Sequence, residues 1–435
     1  MSTAFLTDKY EITMLQSALK DGTANKQAVF ELFARKLPDG RRYGVVAGTA
    51  RAIEAVKEFR FTDTQLAYLA ADPVINDDTI DYLRNYEFKG TITGYHEGDV
   101  YFPYSPILTV EGTFGDAVLL ETLLLSILNH DSAVASAAAR MVQATQGKSG
   151  IIEMGSRRTH DASAVDAARA AYITGFSATS NLEAGFRYGI PTTGTSAHAF
   201  TLAHKDEKEA FKEQVEALGV KTTLLVDTYD IEQGIRNAVE VAGPELGGIR
   251  IDSGDLYEET MKARALLDSL GAKDTKIILS SDIDEFSIAE LMEKGVPFDG
   301  IGAGTRVVTG SGHPTASMVY KLVAIEDEDG TMRSVAKKAS GKKSIGGKKI
   351  AYRIYHNQHI FDEFFTTDGM VTVEGHEVPR PVQVTYIDKG EYFIPTLDEI
   401  RDYHKFAMDT LPASAKTTLA GKPYLEARLV DTPHL

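Results

Sequence analysis

The chain has 435 residues, 43% hydrophobic and 25% charged, with no cysteine and a formal net charge of −16. This composition fits a folded protein of two or three domains and argues against nonspecific binding to DNA or anionic membrane. It excludes disulfides, thiolate catalysis and Cys-ligated zinc or iron–sulfur sites.

Met1–Leu6 has neither the basic start nor the apolar core of a signal peptide. A helix is expected from near Asp8, where Asp8 and Glu11 have the spacing of a capping box with Asp in place of Ser. Thr91–Tyr95 and Pro106–Val110 read as strands of an antiparallel or mixed sheet. Leu119–Asn129 is a buried helix by its density of leucine. The longest apolar run, Ala117–Leu128, is too short to span a bilayer and carries Glu121. A cytoplasmic enzyme or binding protein is therefore expected, with no nucleic-acid or membrane partner.

The middle of the chain repeats one grammar, a β-branched run followed by an acidic or glycine-rich turn and then an amphipathic helix. Ile151–Met154 and Ile190–Thr193 open it. Thr223–Val226 ends at Asp227, and Gly248–Ile251 ends at Asp252. Lys276–Leu279 runs through Ser280 and Ser281 to Asp282, and Phe298–Ile301 ends at Gly302-Ala303-Gly304. Successive ends lie about 20 to 30 residues apart, the length of one strand plus one helix that parallel pairing requires. Between them, Ile231, Ile235, Ala238 and Val239 share a helical face, and Leu256, Met261, Leu266 and Leu267 do so less regularly. Six or more such units favour a closed (β/α) barrel over an open doubly wound sheet.

Beyond residue 325 comes an acidic turn, Glu326–Gly330, and then Lys337, Lys338, Lys342, Lys343, Lys348 and Lys349 among Gly341, Gly346 and Gly347. So local a basic run in an acidic chain suits a mobile lid or a phosphate-approach loop, and equally a solvated one. From Ile350 onward, alternating aromatic and polar residues read as α+β.

On a barrel, side chains at the C-terminal strand ends face one ligand crevice, so His198, Asp227, Arg250, Asp252 and Asp282 would share a rim. His198 sits in Gly194-Thr195-Ser196-Ala197-His198-Ala199-Phe200. An imidazole there can be a base, a metal ligand or a nucleophile, or simply cap a loop. Several carboxylates at one mouth suit Mg²⁺, which keeps water and substrate phosphates among its ligands. Asp255 also reads as an ordinary helix cap. Gly302-Ala303-Gly304-Thr305-Arg306 can hold a phosphate on its backbone N–H groups but lacks the lysine of a Walker loop. Arg157 and Arg158 can clamp a carboxylate or phosphate, or form surface ion pairs. Together these describe a site for a phosphorylated, Mg²⁺-bound small molecule without naming its reaction.

Several segments resemble nicotinate phosphoribosyltransferases: Thr7–Met14, Phe102-Pro103 through Val110-Glu111-Gly112, Leu120–Leu124, Gly155–Arg158, Gly194–His198, Asp252–Asp255 and Gly302–Thr305. They run in family order from residue 7 to about residue 353. The resemblance implies an irregular (β/α) barrel beside an N-terminal α/β domain that the C-terminal segment partly completes, working as a homodimer with a shared active site. The domains it suggests are 1–130, 131–325 and 326–435. It implies that nicotinate and phosphoribosyl pyrophosphate give nicotinate mononucleotide and pyrophosphate, coupled to ATP hydrolysis through transient phosphorylation of His198. Arg157 and Arg250 would orient the nicotinate carboxylate, and Tyr10 of the partner subunit would stack on the pyridine ring. Asp227 and Asp252 would hold Mg²⁺–pyrophosphate or order the ribose, with Asp252 and Arg250 counted as catalytic beside His198. Asp282 would take the ribose hydroxyls, and Gly302, Gly304 and Thr305 the 5′-phosphate.

Two departures bear on substrate. Nicotinamide-using relatives carry an Asp where this chain has Ser180, so Ser180 favours the acid over the amide. Met154 stands where relatives often carry Phe, which leaves one face of an aromatic sandwich open. Nicotinamide phosphoribosyl transfer is the nearest alternative reaction. A sugar-phosphate aldolase or isomerase on a barrel would need a strand-end Lys or Glu base, whereas Lys276 lies at a strand start. A non-catalytic nucleotide sensor that keeps the pocket is the third reading.

Overall fold

The computed structural model describes residues 2–337, 344–367 and 378–430. The chain divides into two compact units, Met1–Ser136 with Thr315–Leu435, and Ala137–Pro314.

The first unit is built on a seven-stranded antiparallel sheet. Gln27–Ala34 pairs with Leu108–Thr113 on one side and Met318–Glu326 on the other, and Thr91–Tyr95 pairs with Leu108–Thr113 and Gln383–Asp388. Strands from both ends of the chain thus complete one sheet. Every residue of Gln27–Ala34 after the first is buried, as expected of an interior strand covered on both faces. A charged cross-link reinforces the closure. The buried Arg353 donates to Asp99 Oδ1 (2.7 Å), Glu363 Oε2 (2.7 Å) and the carbonyl of Val100 (2.6 Å), tying the hairpin Ile350–His356/His359–Thr366 to the N-terminal segment.

Several expectations for this unit need correction. The first helix, Lys9–Asp21, begins as expected, but Asp8 makes no side-chain cap. Instead the buried Glu11 accepts from Thr7 Oγ1 and from the backbone N–H and hydroxyl of Thr122 (2.9 and 2.6 Å), and burial pushes its pKa up to about 7. The leucine-rich run is only the start of a helix, Glu121–Ala144, that alanine-rich sequence carries on. The strand expected from Pro106 begins at Leu108, since proline has no N–H for the ladder. Lys348 pairs with Glu111 (2.8 Å), and the buried Lys349 pairs with Glu31 (2.6 Å), so neither belongs to a free loop. Lys338, Gly341, Lys342 and Lys343 lie outside the described residues.

The second unit carries six parallel strands: β1 (Gly150–Glu153), β2 (Ala178–Thr179), β3 (Thr223–Leu225), β4 (Gly248–Ile251), β5 (Lys276–Ser280) and β6 (Gly300–Ala303). They lie in the order β2-β1-β6-β5-β4-β3. The segment expected as a strand at 190–193 adds only a parallel bridge, Thr192 to Thr179, beside β2. Among the described residues no strand pairing joins that segment to β3, so the ladders form one six-stranded parallel sheet and leave a seam there. The glycine-rich strand sits two residues later than its sequence suggested, so Gly302 and Ala303 belong to β6 rather than to a turn. Helices α1 (Glu207–Leu218), α2 (Ile231–Ala242) and α3 (Leu256–Ser269) cover this region. In α2, Ile235 and Ala238 are buried as expected, whereas Met261 of α3 points outward. Among the described residues no helix is long and apolar enough to cross a membrane.

Candidate active site

Parallel register is what gathers the site. Ile278 lies beside Gly300 and Arg250, and Ser280 beside Gly302. On the far side of β6, Ala303 lies beside Glu153. These four strands therefore end at one level. Met154, Arg157, Arg158, Arg250, Asp252, Ser280–Asp282, Gly302, Gly304 and Thr305 line a cleft of about 200 Å³ there. Of the expected site residues, Arg157, Arg250, Asp252, Asp282, Gly302, Gly304 and Thr305 are thus together. Asp255 lies outside this lining and caps α3, accepting from Glu258 N at 3.0 Å.

Asp227 follows β3 and ties two strand ends together. Its Oδ2 accepts the backbone N–H of Asp252 (2.9 Å) and the hydroxyl of Ser253 (2.7 Å). Asp252 in turn accepts from Ser280 Oγ at 2.5 Å. The Asp227 side chain is 1% exposed and its Oδ1 has no hydrogen-bond partner. His198 Nε2 stands 3.9 Å from that oxygen, and His198 Nδ1 is 3.0 Å from Thr228 Oγ1. His198 opens a short helix, His198–Leu202, after an extended loop, and its side chain is 40% exposed. The imidazole is thus hydrogen-bonded to Thr228 through one nitrogen, faces a buried carboxylate oxygen with the other, and remains open to solvent.

Arg250 donates from Nη2 to the carbonyl of Ser196 (3.4 Å), and its buried Nε has no partner. Arg157 and Arg158 are exposed on a single 3-10 turn, Ser156–Arg158. The buried Glu153 holds that turn by accepting from the Gly155 N–H and from Thr179 Oγ1 (2.6 Å); burial raises its pKa. Met154 lines the cleft against Gly302: a Cβ on Gly302 would lie 2.7 Å from its sulfur, so a larger residue there would push the methionine side chain aside. Ser281 has φ +145°, a conformation L residues rarely adopt.

Ser180 is exposed at the end of β2, its N–H donating to the carbonyl of Glu153 (2.8 Å), and it is not among the cleft-lining residues. Tyr10 belongs to the other unit, 49% exposed on the helix Lys9–Asp21; burial first, then Glu121 and Glu11, raises its pKa. Sequence reasoning missed Thr228, Ser253, Ser280 and Glu153. The first three follow or end the very strands that carry the aspartates, which is the signal that could have found them. Among the described residues no three His, Asp or Glu side chains converge in a metal-holding group.

Residues 5–129 match the model of the nicotinate phosphoribosyltransferase (NAPRTase) N-terminal domain, and residues 150–351 that of the nicotinate phosphoribosyltransferase (NAPRTase) family. The chain is 58% identical over 437 aligned residues to a nicotinate phosphoribosyltransferase of Mycobacterium tuberculosis, covering 98% of this chain and 95% of the relative. It is 42% identical to the Bacillus subtilis nicotinate phosphoribosyltransferase, covering 82% of this chain and 74% of that one. Human nicotinic acid phosphoribosyltransferase has the same fold, with a TM-score of 0.78 at 24% identity over 97% of each chain. So has the nicotinate-nucleotide pyrophosphorylase of Pyrococcus furiosus, with a TM-score of 0.77 at 23% identity over 94% of this chain and 95% of that one.

Proposed function

The chain belongs to the nicotinate phosphoribosyltransferase family, and from that premise we propose that it joins nicotinate to phosphoribosyl pyrophosphate in NAD salvage. Nicotinate mononucleotide and pyrophosphate are the products, and ATP hydrolysis is coupled to the reaction through a phosphohistidine at His198. The observation that carries this reading is the placement of His198, with Nδ1 3.0 Å from the Thr228 hydroxyl and Nε2 3.9 Å from a buried oxygen of Asp227 that makes no hydrogen bond.

A carboxylate only accepts, so Asp227 selects the tautomer with the proton on Nε2. The lone pair is then on Nδ1, toward Thr228. Nδ1 attacks the γ-phosphorus of ATP, the P–O bond to ADP breaks, and Asp227 stabilises the imidazolium. The loose 3.9 Å approach tightens as positive charge develops on the ring. Water later cleaves the P–N bond and releases phosphate.

In phosphoribosyl transfer the nicotinate ring nitrogen bonds to the ribose carbon as the bond to pyrophosphate breaks. Arg157 and Arg250 orient the nicotinate carboxylate, Asp282 takes ribose hydroxyls, and Gly302, Gly304 and Thr305 receive the 5′-phosphate. Tyr10 of the partner subunit stacks on the pyridine ring in a homodimer with a shared active site. Ser180, with no carboxylate to repel the acid, favours nicotinate over nicotinamide.

The donor set suits Mg²⁺: Asp227 Oδ1 is buried and makes no hydrogen bond, so beside its approach to His198 it has a lone pair to spare, and Asp252 stands next to it on the cleft. With two carboxylates and, among the described residues, no group of three acidic or imidazole side chains, substrate phosphates would complete the coordination, as is usual for this ion. Bound there, Mg²⁺ supplies neutralising charge for the leaving pyrophosphate.

Mononucleotide formation from nicotinate and from nicotinamide, each with and without ATP, tests the reading. Turnover of nicotinate that ATP accelerates is expected. Equal use of nicotinamide contradicts the Ser180 assignment, and indifference to ATP contradicts the coupling.

A further inference from the structure

We propose that Gln214 is a positioning residue that holds the His198 loop in register with the strand carrying Asp227 and Thr228. The inference deepens the reading of His198 given above and rests on it for its functional meaning.

Gln214 lies on the inward face of α1 with Ala210 and Phe211, yet it is a primary amide and only 4% exposed. Its Nε2 donates to the carbonyl of Thr223 (3.0 Å) and to Thr222 Oγ1 (3.0 Å), and its Oε1 accepts the hydroxyl proton of Ser196 (2.8 Å). The orientation of the amide is determined, because a backbone carbonyl cannot donate and so must face the NH2 end. Ser196 must therefore be the donor at the other end.

The position of this amide gives it a purpose. On one side of the seam, the 191–193 segment is fastened to β2, with Thr179 N–H donating to Pro191 O and Thr193 N–H to Thr179 O (3.0 Å each). On the other side stands β3, and among the described residues no ladder joins the two. Gln214 spans the gap with side-chain hydrogen bonds where backbone pairing stops. Its lower end grips the first residue of β3, four residues before Asp227, and its upper end grips Ser196, two residues before His198. Arg250 adds a second hold on the loop through the Ser196 carbonyl. A buried amide with both ends occupied is a rigid strut, and losing one end strands a polar group in the interior.

The experiment compares the wild type, Gln214→Leu and Ser196→Ala as full-length protein. His198 reactivity is read first by its rate of modification with diethyl pyrocarbonate, mapped by mass spectrometry. The exposed His160, at the N-terminus of the helix Asp161–Ile173, serves as an internal control. With the strut gone the imidazole leaves Asp227 and Thr228, and the His198 rate rises about fivefold, the factor for one lost buried hydrogen bond. The His160 rate stays constant. Acid-labile labelling by γ-labelled ATP falls by a similar factor in the same variants.

A His198 modification rate in Ser196→Ala within about twofold of wild type, less than one such bond accounts for, overturns the proposal. This variant decides the matter alone if Gln214→Leu does not fold. Absence of labelling in the wild type removes the phosphohistidine reading instead and leaves the modification rates to judge Gln214.

Discussion

Asp227 accepts the backbone N–H of Asp252 through one carboxylate oxygen and turns the other, buried and otherwise unpartnered, toward His198. One side chain thereby ties two strand ends together and faces the imidazole with an oxygen that can only accept.

Those two duties separate in Asp227→Asn. The amide keeps an oxygen for Asp252 and Ser253, so stability should change by only about 1 kcal/mol. Its NH2 end then faces His198 and forces the opposite tautomer. His198 phosphorylation should fall roughly 10²–10⁴-fold, the usual contribution of a positioned acid–base partner. Denaturant unfolding and label incorporation measure the two effects on one preparation.

Ser281 holds φ +145° on the cleft wall between Ser280 and Asp282. Such conformations cost a non-glycine residue about 1–3 kcal/mol, against a glycine entropy cost of about 0.5–1 kcal/mol. Ser281→Gly should therefore stabilise the protein by about 1 kcal/mol, whereas Ser281→Ala should not. Urea titrations of the two variants provide the check.

His404 is buried, donates to the carbonyl of Gly98 (2.8 Å), and has its pKa pushed down to about 4, mainly by burial. The unfolded chain therefore binds a proton below pH 6.5 that the folded chain takes only near pH 4. Folding stability should fall as pH drops through this window, by about 3 kcal/mol in all, and level off below it. His404→Asn keeps a donor for Gly98 and lacks the titration. A flatter stability curve between pH 6.5 and 4 is the expected result, measured by unfolding at each pH.

Much of this architecture could be read from the chain before its coordinates. The runs ending at Asp227, Asp252 and Asp282 announced parallel strands because β-branched segments, acidic turns and helices recur at the spacing of a strand–helix unit. Gly302 was misplaced because Gly-Ile-Gly-Ala offers little side-chain pattern, and only pairing with β1 and β5 shows where β6 lies. Asp8 and Glu11 have capping spacing, but Thr122, more than a hundred residues on, wins the Glu11 carboxylate. Lys348 and Lys349 looked like loop residues because their acidic partners, Glu111 and Glu31, are hundreds of residues distant. Gln214 was invisible for a similar reason: one amide on a charged helix looks like surface until the seam it bridges is known.

Phosphorylation of His198 is the step on which everything else in the active-site account depends. Purified wild-type protein and His198→Ala should be incubated with γ-labelled ATP and Mg²⁺, quenched in alkali, and assayed for label lost on mild acid treatment. Acid-labile label on the wild type that maps to His198 and vanishes in His198→Ala is the expected result. Undiminished label in His198→Ala, or none on an active wild-type enzyme, contradicts it.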